Sequence, residues 1–310
     1  MTLPSRVTVV EVGPRDGLQN VAAVPSTAAK VAFIESLSEA GLPVVEVGAF
    51  VDPRRVPAMA DTDAVVRAIR QRPGTRYAAL VPNLRGLARA DAAGIREIAV
   101  FGAASESFSR RNINQGVAES LEGFGRVIRE AAASGIRVRA YLSTAFGCPY
   151  EGEVPASRVA ELTDQLLQLG AFEVAVSDTI GVAHPGLVWR VLDAVASRVP
   201  LDRVALHFHD TRGTGLANVL AGLQAGVTTF DASCGGLGGC PFAPGASGNL
   251  ATEDLIYMLD GLGVETGVSL RGLVEASCAM APHVPGDSPS RYLRAVQAAA
   301  RRIEDGRPRA

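Results

Sequence analysis

The sequence predicts an α/β fold, a closed (β/α)8 barrel with extra helices at its C-terminal end. Eight apolar, strand-like segments alternate with helical patterns at intervals of about 25–40 residues, and no Pro/Gly/Ser-rich linker interrupts them. The chain has 310 residues, of which 47% are hydrophobic, so it can bury a large core. A doubly wound open sheet is the alternative, but it would need a phosphate-binding GxGxxG motif after an early strand, and the sequence has none.

The barrel strands are short runs of β-branched and apolar residues bounded by turn residues. We predict them at 7–10, 44–50, 77–81, 97–101, 138–143, 172–177, 204–209 and 228–233. We expect one catalytic domain over residues 1–310, with the barrel at about 6–262 and a helical extension at about 263–310.

The helices are predicted from capping residues and apolar periodicity. Ser26 is a typical N-cap ahead of a helix that Gly41 ends, and Pro185 occupies a first helical position, where proline is tolerated. The predicted helices are 26–40, 61–70, 84–93, 119–133, 155–169, 185–197, 215–225, 249–260, 269–280 and 290–303.

Composition argues against several classes of protein. The 30 basic and 32 acidic residues are mixed along the chain and give a net charge of −2, so we expect no nucleic-acid partner. No apolar run approaches the length of a membrane span, and the first strand begins too early for a signal peptide, so we expect no membrane partner. The four cysteines are scattered without a CxxC pair, which favours a reducing cytoplasm.

The first strand runs into the sequence EVGPRDGLQN, in which Pro14 and Gly17 bracket a pair of opposite charges. Parallel barrels carry their catalytic groups at the C-terminal ends of the strands. Arg15 can therefore supply a fixed cation, and Asp16 can supply an oxygen ligand or a base. The alternative is a solvent-facing ion pair, which contributes little to stability.

Polar side chains also occur on two later strands. Glu46 lies within an otherwise apolar strand, where a buried charge needs a partner or a function. His207 and His209 are two residues apart near the end of the seventh strand, so both side chains point to one face. Together with Asp16 they form a mixed His/Asp set that suits Mg²⁺, Mn²⁺ or Co²⁺, although two packed histidines are the alternative.

The stretch from 234 to 249 is rich in glycine and contains Cys240 near its centre. This composition predicts a mobile loop that closes over a substrate and brings a thiol with it. The alternative is an inert cysteine on a tight glycine path. Asn249, at the end of the stretch, can either cap the following helix or give an oxygen to the metal.

Seven stretches of the chain, in order and over nearly its whole length, resemble the 3-hydroxy-3-methylglutaryl-CoA lyase family, which consists of barrel metalloenzymes with an Asp-Arg-Glu constellation. They are EVGPRDGLQN (11–20), FGAASESF (101–108), GCPYEG (147–152), SDTIGV (177–182), HFHDT (207–211), GGLGGCPFAPGASGN (235–249) and ATEDLIYMLDGLG (251–263). The glycine-rich stretch resembles the family's active-site signature and is much more selective than a lone HxH motif. The resemblance implies a TIM barrel that uses a divalent cation to cleave an acyl-CoA substrate into acetyl-CoA and acetoacetate, and it implies a homodimer.

The resemblance also implies roles for individual residues. The positions that bind the divalent cation in the family match Asp16, His207, His209 and Asn249. Arg15 matches the arginine that stabilises the enolate oxygen of the departing acetyl-CoA, and Cys240 matches a loop cysteine that acts in proton transfer. Glu46 matches the acidic residue of the constellation. Either Asp16 or Glu46 can remove the hydroxyl proton, and the sequence leaves both alternatives open.

The chain departs from the family pattern beside Glu46, where Val47, Gly48 and Ala49 replace hydroxyl residues. This change leads to the hypothesis that the site admits a bulkier or less polar 3-substituent. A condensing synthase of the same superfamily is a second alternative, but it lacks the 235–249 loop. A catalytically inactive barrel is a third, and it predicts a broken ligand set, whereas this sequence retains every ligand residue.

Overall fold

Eight parallel strands form a closed barrel in this computed structural model, which describes residues 3–239 and 248–304. The strands are β1 (Thr8–Glu11), β2 (Val44–Ala49), β3 (Arg76–Leu80), β4 (Glu97–Ala103), β5 (Arg137–Ser143), β6 (Glu173–Asp178), β7 (Val204–Phe208) and β8 (Thr229–Ala232). Each strand pairs with the next one along the chain, and β8 pairs with β1 to close the barrel. The predicted fold class, a TIM barrel with additional C-terminal helices, is confirmed.

Eleven α-helices occur among the described residues. They are α1 (Thr27–Glu39), α2 (Thr62–Ala68), α3 (Leu84–Ala92), α4 (Glu106–Ile113), α5 (Val117–Ala133), α6 (Ala156–Gln168), α7 (Pro185–Ala196), α8 (Gly215–Ala225), α9 (Thr252–Gly261), α10 (Leu270–Met280) and α11 (Arg291–Glu304). The sequence does not predict α4. This helix buries only Phe108 and Ser109, so it lacks the apolar periodicity on which the helix predictions depend.

Most helix ends lie within a few residues of their predicted positions. Ser26 Oγ accepts a backbone N–H from the first turn of α1 at 3.2 Å, and Gly41 follows that helix with a φ of +93°, a conformation that favours glycine. The helix predicted to start at Asn249 begins instead at Thr252. Asn249 forms an antiparallel bridge with His209, so this part of the chain is held beside the end of β7.

The barrel strands are buried on both faces, which explains their nearly continuous apolar sequences. Polar side chains from four strands nevertheless meet inside the barrel, because inward-facing residues of a closed sheet converge on its axis. These side chains are Glu46 of β2, Arg139 and Tyr141 of β5, His207 of β7 and Asp231 of β8. Each of them is at most 7% exposed, so each needs a partner within the barrel.

The C-terminal helices pack onto the outer layer of the barrel. α10 packs against α1 and α9, and α11 packs against α9. Asp254 of α9 accepts the backbone N–H groups of Arg291 and Tyr292 at 3.0 and 2.8 Å, which satisfies donors at the start of α11. Within residues 3–239 and 248–304, no helix combines the length and the apolar character that crossing a membrane requires.

Candidate active site

The turn after β1 is a single turn of π-helix. The backbone carbonyl of Val12 accepts the N–H groups of Arg15 and Asp16 at 3.1 and 2.7 Å, which fixes the backbone where the charged pair projects. Gly17 is required by close packing, because a Cβ atom there would lie 2.9 Å from the Cβ of Leu237. The turn after β1 is therefore packed directly against the segment that follows β8.

Arg15 is buried, with 6% of its surface exposed, and its guanidinium group joins two carboxylates. Its Nε donates to Glu46 Oε2 at 2.6 Å, and its Nη1 donates to Asp16 Oδ1 at 2.5 Å. The interpretation of Arg15 and Asp16 as a solvent-facing ion pair is wrong, because the guanidinium group is buried and pairs with the carboxylates of both Asp16 and Glu46. A fixed positive charge is thus present at the C-terminal end of β1.

Glu46 lies in β2 and is 1% exposed. Its Oε2 accepts hydrogen bonds from Arg15 and from the Tyr141 hydroxyl, the latter at 3.3 Å, whereas its Oε1 has no partner among the described residues. Burial raises the pKa of Glu46, and Arg15 lowers that pKa only in part. Glu46 is not among the described residues that line the cavity, so its carboxylate reaches the site through Arg15.

Asp16, His207 and His209 each offer one ligand atom, and these atoms lie within 4.8 Å of one another. Burial alone would raise the pKa of Asp16, but Arg15 and the two histidines together hold it at about 2. Burial and the neighbouring His207 lower the pKa of His209 to about 4, so His209 is neutral at pH 7 and has a lone pair to offer a cation. The barrel thus brings together three residues that the sequence predicts as ligands, one from the turn after β1 and two from the end of β7.

Two buried polar atoms near this cluster indicate that it fits a divalent cation. His209 Nδ1 and Asn249 Oδ1 have no hydrogen-bond partner within the part of the chain that the structure describes. Buried polar atoms normally have partners, because desolvation without one costs free energy. Imidazole, carboxylate and amide oxygen donors together match the ligand preferences of Mg²⁺, Mn²⁺ and Co²⁺.

Asn249 lies in the segment before α9, and its amide faces Asp16. Its Nδ2 donates to Asp16 Oδ2 at 2.9 Å and to the carbonyl of Leu237 at 3.1 Å. The alternative that Asn249 caps the following helix is wrong, since Ala251 is the N-cap residue of α9. The role as a metal ligand is the interpretation that its position supports.

A cavity of about 300 Å³ opens beside these groups. Its lining includes the charged and imidazole groups of Arg15, Asp16, His207 and His209. Its apolar lining consists of Ala49, Val51, Val56, Leu80, Phe101 and Phe108. Gly239, which precedes Cys240 in the sequence, also lines the cavity. Cys240 and the rest of the predicted lid, residues 240–247, lie outside the described residues.

The sequence reasoning missed three polar residues of the barrel interior, Arg139, Tyr141 and Asp231. Arg139 Nη2 donates to Asp231 Oδ1 at 2.7 Å, and Arg139 Nη1 donates to the Tyr141 hydroxyl at 3.0 Å. Burial alone would raise the pKa of Asp231, but Arg139 and then His207 hold it below its usual value. The signal for two of the three was the alternation in RVRAYLS (137–143), which places Arg139 and Tyr141 on one face of a buried strand.

Known proteins are similar to this chain over most of its length. The family model described as HMGL-like matches residues 6–279. The mitochondrial hydroxymethylglutaryl-CoA lyase of Rattus norvegicus is 53% identical over 275 residues, which make up 89% of this chain and 85% of that relative. The 3-hydroxy-3-isohexenylglutaryl-CoA/hydroxy-methylglutaryl-CoA lyase of Pseudomonas aeruginosa is 49% identical over 300 residues, which make up 97% of this chain and 100% of that relative.

A solved structure extends the similarity to three dimensions. An HMG-CoA lyase from Acinetobacter baumannii, in complex with coenzyme A and 3-methylmalate, has a TM-score of 0.90 and 38% sequence identity. The match covers 95% of this chain and 97% of that one. The resemblance that the sequence motifs predict is therefore confirmed.

Proposed function

The chain belongs to the HMGL-like family, and from this membership we propose that it is a divalent-metal-dependent lyase that cleaves (S)-3-hydroxy-3-methylglutaryl-CoA into acetyl-CoA and acetoacetate. The observation that carries this proposal is the grouping of Asp16, His207 and His209 within 4.8 Å. A fixed guanidinium group, that of Arg15, lines the same cavity. The reaction is a retro-Claisen cleavage, which needs a place for a hydroxyl proton and a cation for a developing enolate.

The cation in this proposal is Mg²⁺ or Mn²⁺, with Co²⁺ as a further option. The residues that would hold it are Asp16, His207, His209 and Asn249. When bound, such a cation polarises the oxygens of the substrate and lowers the pKa of its hydroxyl group. The low pKa of Asp16, about 2, keeps this ligand ionised over the whole physiological range.

Asp16, Arg15 and Glu46 have separate roles in the proposed cleavage. Of the two carboxylates that the sequence leaves open as the base, Asp16 lines the cavity and Glu46 does not, so we assign the hydroxyl proton to Asp16, directly or through a water molecule. Loss of that proton breaks the bond between C2 and C3, which releases acetoacetate and leaves the electron pair in the enolate of acetyl-CoA. Arg15 stabilises the enolate oxygen, and Glu46 holds Arg15 in place.

Cys240 completes the reaction in this proposal by giving its thiol proton to the enolate carbon. Its support is the sequence signature together with Gly239, the preceding residue, which lines the cavity. Leu237 and Asn249, which flank the segment containing Cys240, meet beside Asp16, since Asn249 Nδ2 donates to the Leu237 carbonyl. The described residues on either side of 240–247 therefore lie near the site where the proton is needed.

The direct test is product analysis of the purified protein with 3-hydroxy-3-methylglutaryl-CoA. We expect acetoacetate and acetyl-CoA in equal amounts with Mg²⁺ or Mn²⁺, and none after a chelator has removed the metal. Absence of acetoacetate with every metal would overturn the proposal. A separate assay of the condensation of acetyl-CoA with a 2-oxo acid, in which a carbon-carbon bond forms instead of breaking, tests the synthase alternative in the same preparation.

Two pairs of variants assign the roles of individual residues. His207→Ala should weaken Mn²⁺ binding at least about tenfold, whereas His283→Ala, the same change at an exposed histidine, should not. Cys240→Ala should lower turnover by about 10²–10⁴-fold with Mn²⁺ binding unchanged, and Cys278→Ala, at an exposed cysteine, is its control. Near-normal turnover of Cys240→Ala would remove the thiol from the mechanism.

A second candidate substrate is a 3-hydroxy-3-alkylglutaryl-CoA with a longer branch. The apolar part of the cavity lining favours it, and one relative carries both activities in its name. Of the three replaced positions beside Glu46, only Ala49 lines the cavity. Gly48 instead packs against Thr62, whose Oγ1 would lie 2.7 Å from a Cβ atom at position 48, so this glycine leaves no room for substrate.

The kcat/KM values of the methyl and the long-branch substrates decide between these two candidates. A buried apolar branch contributes about 1–3 kcal/mol of discrimination, so a chain that accepts it should show comparable or higher kcat/KM for the longer substrate. Ala49→Ser, which adds a hydroxyl to the apolar lining, should then shift the ratio toward the methyl substrate. A strong preference of the unmodified protein for the methyl substrate would end this second candidate.

We extend the proposal to a homodimer in the cytoplasm. The dimer follows from the family resemblance and is tested by light scattering of the purified protein. The cytoplasmic location follows from the composition and from the free thiols of Cys148, Cys234 and Cys278. Fractionation of cells that express the protein tests it.

A further inference from the structure

Asp231 of β8 lies beside His207 of β7, its register partner in the neighbouring strand. The Asp231 Oδ2 atom is 3.2 Å from His207 Nδ1, which is hydrogen-bond distance. Both side chains are buried, with Asp231 2% and His207 7% exposed. One imidazole nitrogen cannot both donate to a carboxylate and bind a cation. Since Nδ1 contacts Asp231, only Nε2 of His207 can act as a metal ligand.

Arg139 keeps the carboxylate of Asp231 ionised. Its guanidinium group meets the carboxylate with two contacts, Nη2 to Oδ1 at 2.7 Å and Nη1 to Oδ2 at 3.2 Å. A carboxylate paired in this way is ionised and offers only acceptors. The hydrogen of the contact must therefore reside on His207 Nδ1, so Nε2 is the nitrogen left to face a cation. Arg139 in turn is anchored through its Nε to Glu173 Oε1 at 2.7 Å.

We propose that Asp231, held by Arg139, is a positioning residue that fixes the tautomer and the ring plane of His207 so that Nε2 is presented to the divalent cation. This inference rests on the proposed role of His207 as a metal ligand. Tyr141 supports the same ring orientation, because its ring packs edge-on against His207 with centroids 6.2 Å apart and an interplanar angle of 82°. A hydrogen-bonded carboxylate behind an imidazole ligand raises its basicity and orients it.

The test measures the tautomer of His207 and the affinity for Mn²⁺, both without substrate. The chain has four histidines, so the imidazole ¹⁵N resonances of the metal-free protein can be assigned by comparison with a His207→Gln variant. Glu173→Gln is the matched control for Asp231→Asn. Each variant neutralises one carboxylate paired with Arg139 at 2.7 Å, but only Asp231 contacts His207.

We expect the unmodified protein and Glu173→Gln to show one tautomer of His207, with the hydrogen on Nδ1. Asp231→Asn should show a mixture of tautomers and bind Mn²⁺ about 10–100-fold more weakly, because an amide cannot serve His207 and both Arg139 contacts at once. Equal losses of Mn²⁺ affinity in the two variants, or unchanged affinity in Asp231→Asn, would overturn the inference.

One outcome is measured on the unmodified protein and therefore does not depend on whether Asp231→Asn folds. If the unmodified protein carries the hydrogen on Nε2 of His207, or fails to bind Mn²⁺, the inference is wrong. Both measurements are made without substrate, so they are independent of the reaction. Failure to form acetoacetate would overturn the proposed function and leave the relation between Asp231 and His207 untouched.

Discussion

Asp16 Oδ2 accepts a hydrogen bond from Asn249 Nδ2 at 2.9 Å, although 233 positions separate the two residues in the sequence. Asp16 belongs to the turn after β1, and Asn249 belongs to the segment after β8. Since β8 pairs with β1 to close the barrel, this contact joins the first and the last parts of the site. Gln19 Nε2 donates to the other oxygen of Asp16 at 3.0 Å, so the carboxylate is held from both sides.

Replacing Asn249 by alanine should weaken Mn²⁺ binding by about 10–100-fold, because Asn249 both holds Asp16 and offers an amide oxygen that has no other described partner. Calorimetric titration of the metal-free protein with Mn²⁺ measures the effect. Gln19→Ala is the comparison variant, since it removes a donor to Asp16 but no candidate ligand, and it should cost less affinity. An equal loss in both variants would contradict a ligand role for Asn249.

Replacing Glu46 by glutamine should lower kcat by about 10–100-fold and leave Mn²⁺ affinity unchanged. The glutamine amide oxygen can still accept a hydrogen bond from Arg15, but the charge that holds this guanidinium group is lost, so the stabilisation of the enolate is weaker. Steady-state kinetics and calorimetry separate the two effects. Glu35→Gln removes a surface carboxylate that pairs with Arg70 at 2.7 Å, and it should change neither quantity.

The sequence was sufficient to predict that Asp16, His207 and His209 lie close together, because one geometric rule connects them. Asp16 lies in the turn after β1, and His207 and His209 lie at the end of β7; the C-terminal ends of the strands of a parallel barrel meet at one face. The two histidines alternate with Phe208, so both were expected on one side of the chain. A prediction of this kind needs the fold class and the strand positions, but it needs no register.

The sequence did not predict the contacts among Arg139, His207 and Asp231 inside the barrel, because these contacts depend on strand register. Asp231 contacts Arg139 and His207 only because β5, β7 and β8 hold a particular register around the closed barrel, and no local pattern specifies that register. Within the sequence of its own strand, TTFDAS (228–233), Asp231 is one polar residue and nothing indicates its partners. The predicted start of α9 at Asn249 was wrong for a similar reason, because the bridge between Asn249 and His209 is a tertiary contact.

We expect the buried carboxylate of Glu11 to make the stability of the protein depend on pH. Its Oε1 accepts the backbone N–H groups of Gly13 and Cys234, both at 2.8 Å, and its Oε2 accepts the Thr252 hydroxyl at 2.7 Å. Burial raises the pKa of Glu11 from 4.5 to about 7, and the three hydrogen bonds lower it only in part. Between these two pKa values the folded chain keeps a proton that the unfolded chain has lost.

The free energy of unfolding should therefore fall as the pH rises from about 4.5 to about 7, by an amount on the order of 3 kcal/mol from Glu11 alone. Below the unfolded pKa this contribution is fully present, and above the folded pKa no further loss occurs. Urea unfolding of the unmodified protein and of Glu11→Gln at several pH values isolates the term, because other groups cancel in the difference. Parallel pH profiles for the two proteins would contradict it.

Lys30 is the only lysine of the chain, and it is 3% exposed between α1 and α2. Its Nζ donates to the Ala58 carbonyl and to Asp61 Oδ1, both at 2.6 Å, so Lys30→Met removes two hydrogen bonds from one buried ammonium group. We expect the free energy of unfolding to fall by about 1–3 kcal/mol in urea titrations at pH 7. The matched control breaks an exposed ion pair instead: Arg6→Gln separates Arg6 from Glu265, and the cost should stay below about 0.5 kcal/mol because solvent screens that pair. Equal stability losses in the two variants would show that burial does not strengthen the Lys30 contacts.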